Sequence, residues 1–104
     1  MTLRHIVLVS FPQGRDADFI ARLSEGMAAL ATAVPEILAA TWGEDVSGNA
    51  ENFDYAMTFD FADQDAYQRY RVHPAHQRFI GQFMRDVPMR KVRVQFEFDG
   101  SSPS

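Results

Sequence analysis

The run FDYAMTFDF, residues 53–61, has a repeat of two: Phe53, Tyr55, Met57, Phe59 and Phe61 fall on one side, Asp54, Ala56, Thr58 and Asp60 on the other. A helix would scatter these large apolar side chains around its circumference, whereas a strand collects them on one face. Each is worth ~1.5–3 kcal/mol once buried, so the face demands a covering layer. A chain with this segment must therefore fold as a sheet packed against something else.

The remaining sequence supplies that layer. LRHIVLVSF (3–11) also alternates, with His5, Val7, Val9 and Phe11 on one face and Arg4, Ile6, Leu8 and Ser10 on the other. PQGRD turns the chain, and Asp16 is placed to cap a helix with Asp18 in its first turn. Phe19, Leu23, Met27, Leu30 and Val34 then form a helical stripe that ends before Pro35. Gly26 costs that helix roughly 1 kcal/mol relative to Ala, which implies a close approach to the sheet. ILAATWGEDV (37–46) reads as a second strand, followed by the polar loop SGNAEN.

After the 53–61 strand, Asp63 starts a short helix carrying Ala66, Tyr67 and Tyr70. His73-Pro74 interrupts it, because the residue before a proline is pushed out of the helical region. Pro74 suits the first position of a new helix, which places His76, Phe79, Ile80 and Phe83 on one stripe. MRKVRVQFEF (89–98) alternates again, and the expected facing is Val92, Val94, Phe96 and Phe98 inward with Lys91, Arg93, Gln95 and Glu97 outward. DGSSPS (99–104) reads as a frayed, disordered tail to a single domain over 1–98.

The order β-α-β-β-α-β predicts an α+β, ferredoxin-like domain with a four-stranded antiparallel sheet and helices on one face. On the other face Ile6, Leu8, Ala39, Thr41, Ala56 and Thr58 are small or apolar where a solvated sheet would carry charges. A second copy is the commonest cover for such a surface, so the expected partner is the chain itself, as a homodimer.

With 104 residues there is room for one domain, and the absence of Cys rules out disulfides, thiolate metal sites and Cys nucleophiles. The net charge of -4 argues against nucleic acid, and the one basic run, RDVPMRKVR (85–93), reads as a solvated face. No apolar run approaches the ~20 residues that span a bilayer, and the start alternates instead of reading as a signal peptide. The expectation is a cytoplasmic protein with neither nucleic acid nor membrane as partner.

RHIVLVSF, WGEDV after the second strand, FDYAMTFDF and above all Y-x-V-H-P-A-H at Tyr70 to His76 carry a resemblance that runs from Arg4 to Phe98. In these pieces the chain resembles the stress-responsive A/B barrel domains (Dabb), dimeric α+β barrels in which two ferredoxin-like sheets face each other. The family includes a plant polyketide cyclase whose pocket lies between sheet and helices. There the tyrosine and second histidine of the same motif carry an aldol-type ring closure; by motif position they are Tyr70 and His76. His5 matches as well, on the strand facing the pocket. Where that cyclase has a further histidine on the third strand, this chain has Tyr55, which implies a different pocket lining.

Chemistry of that kind needs a base beside a carbonyl and a donor to its oxygen. Neutral His76 is suited to the first role and Tyr70 to the second. His5, Val7, Tyr55, Met57, Phe59, Phe79 and Phe83, with Trp42, are the candidate lining for a small apolar or aromatic carbonyl ligand. His73 is assigned to the helix break. His5, His73 and His76 lack a helical i, i+4 pair and an acidic partner, so no metal and no cofactor is expected. Two other readings stand beside this one: a non-catalytic stress or assembly protein, with His76 a core residue bonded to a carbonyl or to Tyr70, and a monooxygenase of the related dimeric barrels.

Overall fold

In the computed structural model, which describes residues 1–99, β1 (Thr2–Ser10) lies between β3 (Tyr55–Phe61) and β4 (Arg90–Phe98), and β2 (Ala39–Glu44) flanks β3. All pairings are antiparallel, in the order β2-β3-β1-β4. Three helices complete the chain: α1 (Ala17–Ala33), α2 (Gln64–Val72) and α3 (Pro74–Phe83). The fold is the ferredoxin-like arrangement expected, with its second helix in two pieces. Most of the tail expected at 99–104 lies outside the described residues, and no helix among those described is long and apolar enough to cross a membrane.

The helix boundaries follow the side chains predicted to set them. Asp16 Oδ1 accepts from the N–H groups of Asp18 and Phe19, at 3.0 and 3.3 Å. Asp63 Oδ1 accepts from Ala66 N–H at 2.8 Å and starts α2. The strands are shorter than the alternation suggests, since β2 begins at Ala39 and β3 at Tyr55.

The inner sheet face buries Leu3, Val7, Val9, Met57, Phe59 and Phe61 against the helices. From α1 come Ile20, Leu23, Met27 and Leu30, so Ile20 takes the buried place expected of Phe19, which is half-buried. Gly26 makes a close approach, but to a helix and not to the sheet. A Cβ built there would lie 2.5 Å from Cε2 of Phe83 on α3. The missing side chain is the space that the Phe83 ring occupies.

β4 reverses the expected facing. Its register sets Arg93 opposite Val7, Gln95 opposite His5 and Lys91 opposite Val9, all on the helix side. Directly opposed residues share a face, so Val92, Val94, Phe96 and Phe98 join Leu8, Ile6, Arg4 and Thr2 on the open side. The polar side chains can face inward because β4 is an edge strand that the helices do not cover. The open face therefore carries continuous rows, Gly43–Ala56–Leu8–Val92 and Thr41–Thr58–Ile6–Val94. Val92, Val94 and Phe96 are 45%, 55% and 43% exposed, a contiguous apolar surface of the kind that marks an interface.

Candidate functional site

Tyr70 lies in the last turns of α2 and His76 in the first of α3, and the break between them brings the two rings together. His73 makes the break in three ways. Its backbone N–H closes α2 on Tyr70 O at 3.1 Å, its extended conformation suits the residue before Pro74, and its Nδ1 accepts from Ala75 N–H at 3.0 Å. The imidazole of His73 thus acts as a helix cap. Across the turn the Tyr70 and His76 rings lie 4.2 Å apart, centroid to centroid.

Both residues line a cavity of about 180 Å³ between the sheet and the α2–α3 pair, open on one side. Val7, Met57, Phe59, Phe79 and Met84 are buried and form its apolar floor. Arg71, Gln77, Lys91 and Arg93 are exposed and form its mouth. A cavity of ~150 Å³ takes up benzene, so this volume suits one ring or a short aliphatic body.

The hydrogen bonds orient the two histidines in opposite senses. His76 Nδ1 is 3.0 Å from the backbone carbonyl of Arg71. A carbonyl only accepts, so Nδ1 carries the proton and Nε2 presents a lone pair. The same carbonyl accepts from Gln77 Nε2 at 2.6 Å, which anchors the turn further. His5 Nδ1 instead accepts from the Gln95 amide at 3.0 Å, leaving Nε2–H as a donor. Gln95 is itself held by Gln64 Nε2 at 3.0 Å.

Burial pushes the His5 pKa down to about 4, reinforced by the charge of Arg93 and by His76. Burial also lowers that of His76, against the opposing pull of its bond to the Arg71 carbonyl. The Tyr70 phenol is pushed up, first by burial and then by Tyr67, so it stays a neutral donor. Among the described residues no hydrogen bond joins its hydroxyl to the protein, and no sealed side-chain polar atom lacks a partner. That hydroxyl therefore opens on the cavity. The site combines a neutral base, a phenolic donor and an imidazole donor above an apolar floor.

Of the residues singled out in the sequence, His5, Val7, Met57, Phe59, Tyr70, His76 and Phe79 meet at this cavity. Tyr55 and Phe83 do not. Tyr55 stands opposite Val9, four residues along β3 from Phe59, and its hydroxyl bonds Ser24 at 2.8 Å. Phe83 is a turn beyond Phe79, its ring against Gly26. Trp42 packs at the edge of the core. Tyr67, Arg71, Lys91 and Arg93 line the cavity without having been expected there. Tyr67 was legible as the residue one turn before Tyr70, while Lys91 and Arg93 required the correct facing of β4. No three metal-ligating side chains come together among the described residues.

The family described as Stress responsive A/B Barrel Domain matches residues 3–99. The stress-response A/B barrel domain-containing protein HS1 of Arabidopsis thaliana is 32% identical over 84 residues, 79% of this chain and 77% of that one. Among solved structures, a dimeric ferredoxin-like protein of unknown function from Thermobifida fusca superposes with a TM-score of 0.82 at 28% identity, covering 94% of this chain and 92% of the other. A hydroxynitrile lyase from Passiflora edulis has the same fold, with a TM-score of 0.80 at 19% identity over 98% and 97% of the two chains.

Proposed function

The chain belongs to the stress-responsive A/B barrel domain family, and from that premise we propose that it is a homodimer that binds a small carbonyl compound and moves a proton on it. The observation that carries the reading is the juxtaposition of a phenolic hydroxyl and a lone-pair-bearing imidazole nitrogen at one open, apolar cavity. In the proposed step His76 Nε2 takes a proton from the carbon next to the carbonyl. The electron pair moves onto the carbonyl oxygen, and Tyr70 O–H, with His5 Nε2–H, holds the resulting enolate. The imidazolium then returns the proton to carbon, or the enolate carbon attacks a second carbonyl as in an aldol closure and the imidazolium protonates the alkoxide so formed. Burial supports this chemistry by keeping His76 neutral near pH 7.

The volume favours a single ring or a short chain over a fused-ring polyketide. The homodimer is supported by the exposed apolar rows of the open face, and the Thermobifida fusca relative is itself described as dimeric.

Deuterium exchange tests the reading without knowledge of the natural substrate. Acetophenone and phenylacetaldehyde in D2O are followed by proton NMR. The wild-type protein is expected to speed exchange beside the carbonyl, and His76→Ala to lower that rate by ~10²-fold or more. Exchange no faster than in buffer would remove the proton-transfer step.

A further inference from the structure

We propose that the natural ligand of this cavity is an anion, a carboxylate-bearing carbonyl compound or aromatic acid. Its charge sits at the mouth among Arg71, Lys91 and Arg93 while its apolar body enters toward Tyr70 and His76. The inference rests on the reading above only in taking the cavity as a ligand site, and is independent of the proton transfer.

The lining contains those three cations and not one Asp or Glu. In the chain as a whole acids outnumber Lys and Arg, 14 to 10, so the mouth runs against the prevailing charge. Three other arginines are neutralised, Arg4 by Asp60, Arg15 by Glu44, Asp45 and Asp54, and Arg69 by Glu36, whereas Arg22, Arg78, Arg85 and Arg90 take part in no ion pair among the described residues. The three at the mouth take part in none of the ion pairs of the described residues. Among the described residues the Arg71 guanidinium donates only to the neutral Gln68 Oε1, at 3.1 Å.

Placement strengthens the case. Lys91 and Arg93 are alternate residues on the helix-side face of β4, about 7 Å apart along the strand. Arg71, on α2, lines the same cavity, and its own carbonyl orients His76. Cations around an opening over a low-dielectric floor focus the field and draw anions in. Guanidinium and ammonium groups suit a carboxylate, the first as a bidentate fork and the second as a point charge. The neutral, buried His5 and Tyr70 below suit the uncharged part of the same ligand.

Benzoate and benzamide form a matched pair, similar in size and differing in charge, and both can be titrated by calorimetry and followed by the histidine ring signals in NMR. Benzoate is expected to bind at least tenfold more tightly than benzamide in low salt, with the advantage shrinking at higher ionic strength. The double variant Lys91→Gln/Arg93→Gln, at two exposed positions, is expected to keep benzamide binding and lose the benzoate preference. Equal affinities for the two compounds, or a preference that survives in the double variant, would overturn the proposal and leave the proton-transfer reading standing. Binding of neither compound would overturn it together with the cavity as a ligand site. Tight benzoate binding by a protein that catalyses no deuterium exchange would uphold the anion site and sink only the proton transfer.

Discussion

The Tyr70 ring lies 4.2 Å from the His76 imidazole, centroid to centroid, across a turn in which His73 both ends one helix and caps the next. The contact puts a phenol ring whose hydroxyl has no hydrogen-bond partner among the described residues against an imidazole whose tautomer is set from behind. Tyr70→Phe removes only that hydroxyl and leaves the ring packing. Urea melts are expected to shift by less than about 1 kcal/mol, whereas proton exchange on a bound ketone falls by ~10-fold or more. A large stability loss without a rate effect would make the phenol a structural group.

The rate of exchange should follow the neutral form of His76. Because burial lowers its pKa from the ordinary 6.5, the acid limb of the rate profile is expected to have its midpoint below that value. A pH–rate profile with its acid limb centred above 7 would contradict that placement.

His5 gives stability its own pH dependence. Its folded pKa of about 4 lies below the ordinary 6.5, so between those values the unfolded chain binds the proton more readily. The contribution is complete above pH 6.5 and is lost as the pH falls toward 4. Arg93 and Gln95 from β4, His76 from α3, Tyr67 from α2 and Phe59 from β3 surround the ring, and none of them is an acid that would hold the imidazolium. Denaturation followed at pH 7 and pH 4.5 is expected to differ by on the order of 2 kcal/mol more in the wild type than in His5→Gln.

Gly26→Ala sets helix propensity against packing. Alanine gains α1 about 1 kcal/mol, but the new methyl would fall 2.5 and 2.9 Å from two ring atoms of Phe83. That ring is 5% exposed and wedged between Phe19 and Phe79. Overpacking of this kind costs typically 1–3 kcal/mol, so the variant is expected to be less stable by about 1 kcal/mol. The compensating change Phe83→Leu should recover part of the loss in the same thermal melt.

Val94→Glu tests the assembly. Val94 stands beside Ile6 on the open face, midway along the edge strand β4, and is more than half exposed in the single chain. A charge there should leave the fold intact by circular dichroism and convert the proposed homodimer to monomer in sedimentation velocity. An unchanged sedimentation coefficient would place the interface elsewhere.

The elements and their order were legible because strong alternation and helix-stop residues mark them: Asp16, Asp63 and His73-Pro74 all act where their chemistry says they should. The pairing of Tyr70 with His76 was also within reach, since the proline break folds a short sequence separation into a ring contact. The facing of β4 was not. Alternation divides a strand into two faces without saying which is inside, and the rule that apolar means inward fails on a sheet whose two faces are both apolar. Only the register with β1 decides it, with Arg93 against Val7 and Val94 against Ile6. Lys91 and Arg93 were consequently taken for solvated charges, and the basic rim of the cavity stayed hidden until the strand was placed.

β4 ties together two properties that a chain could otherwise tune separately. Its odd-numbered side chains, from Lys91 to Gln95, lie on the helix side, where Lys91 and Arg93 line the cavity, and its even-numbered ones, from Val92 to Phe98, lie on the open face. Deleting or inserting a single residue near Arg90 would exchange the two sets along the strand, turning valines toward the cavity and charges onto the open face. Length variation in the segment just before this strand should thus be far less tolerated in evolution than its sequence drift.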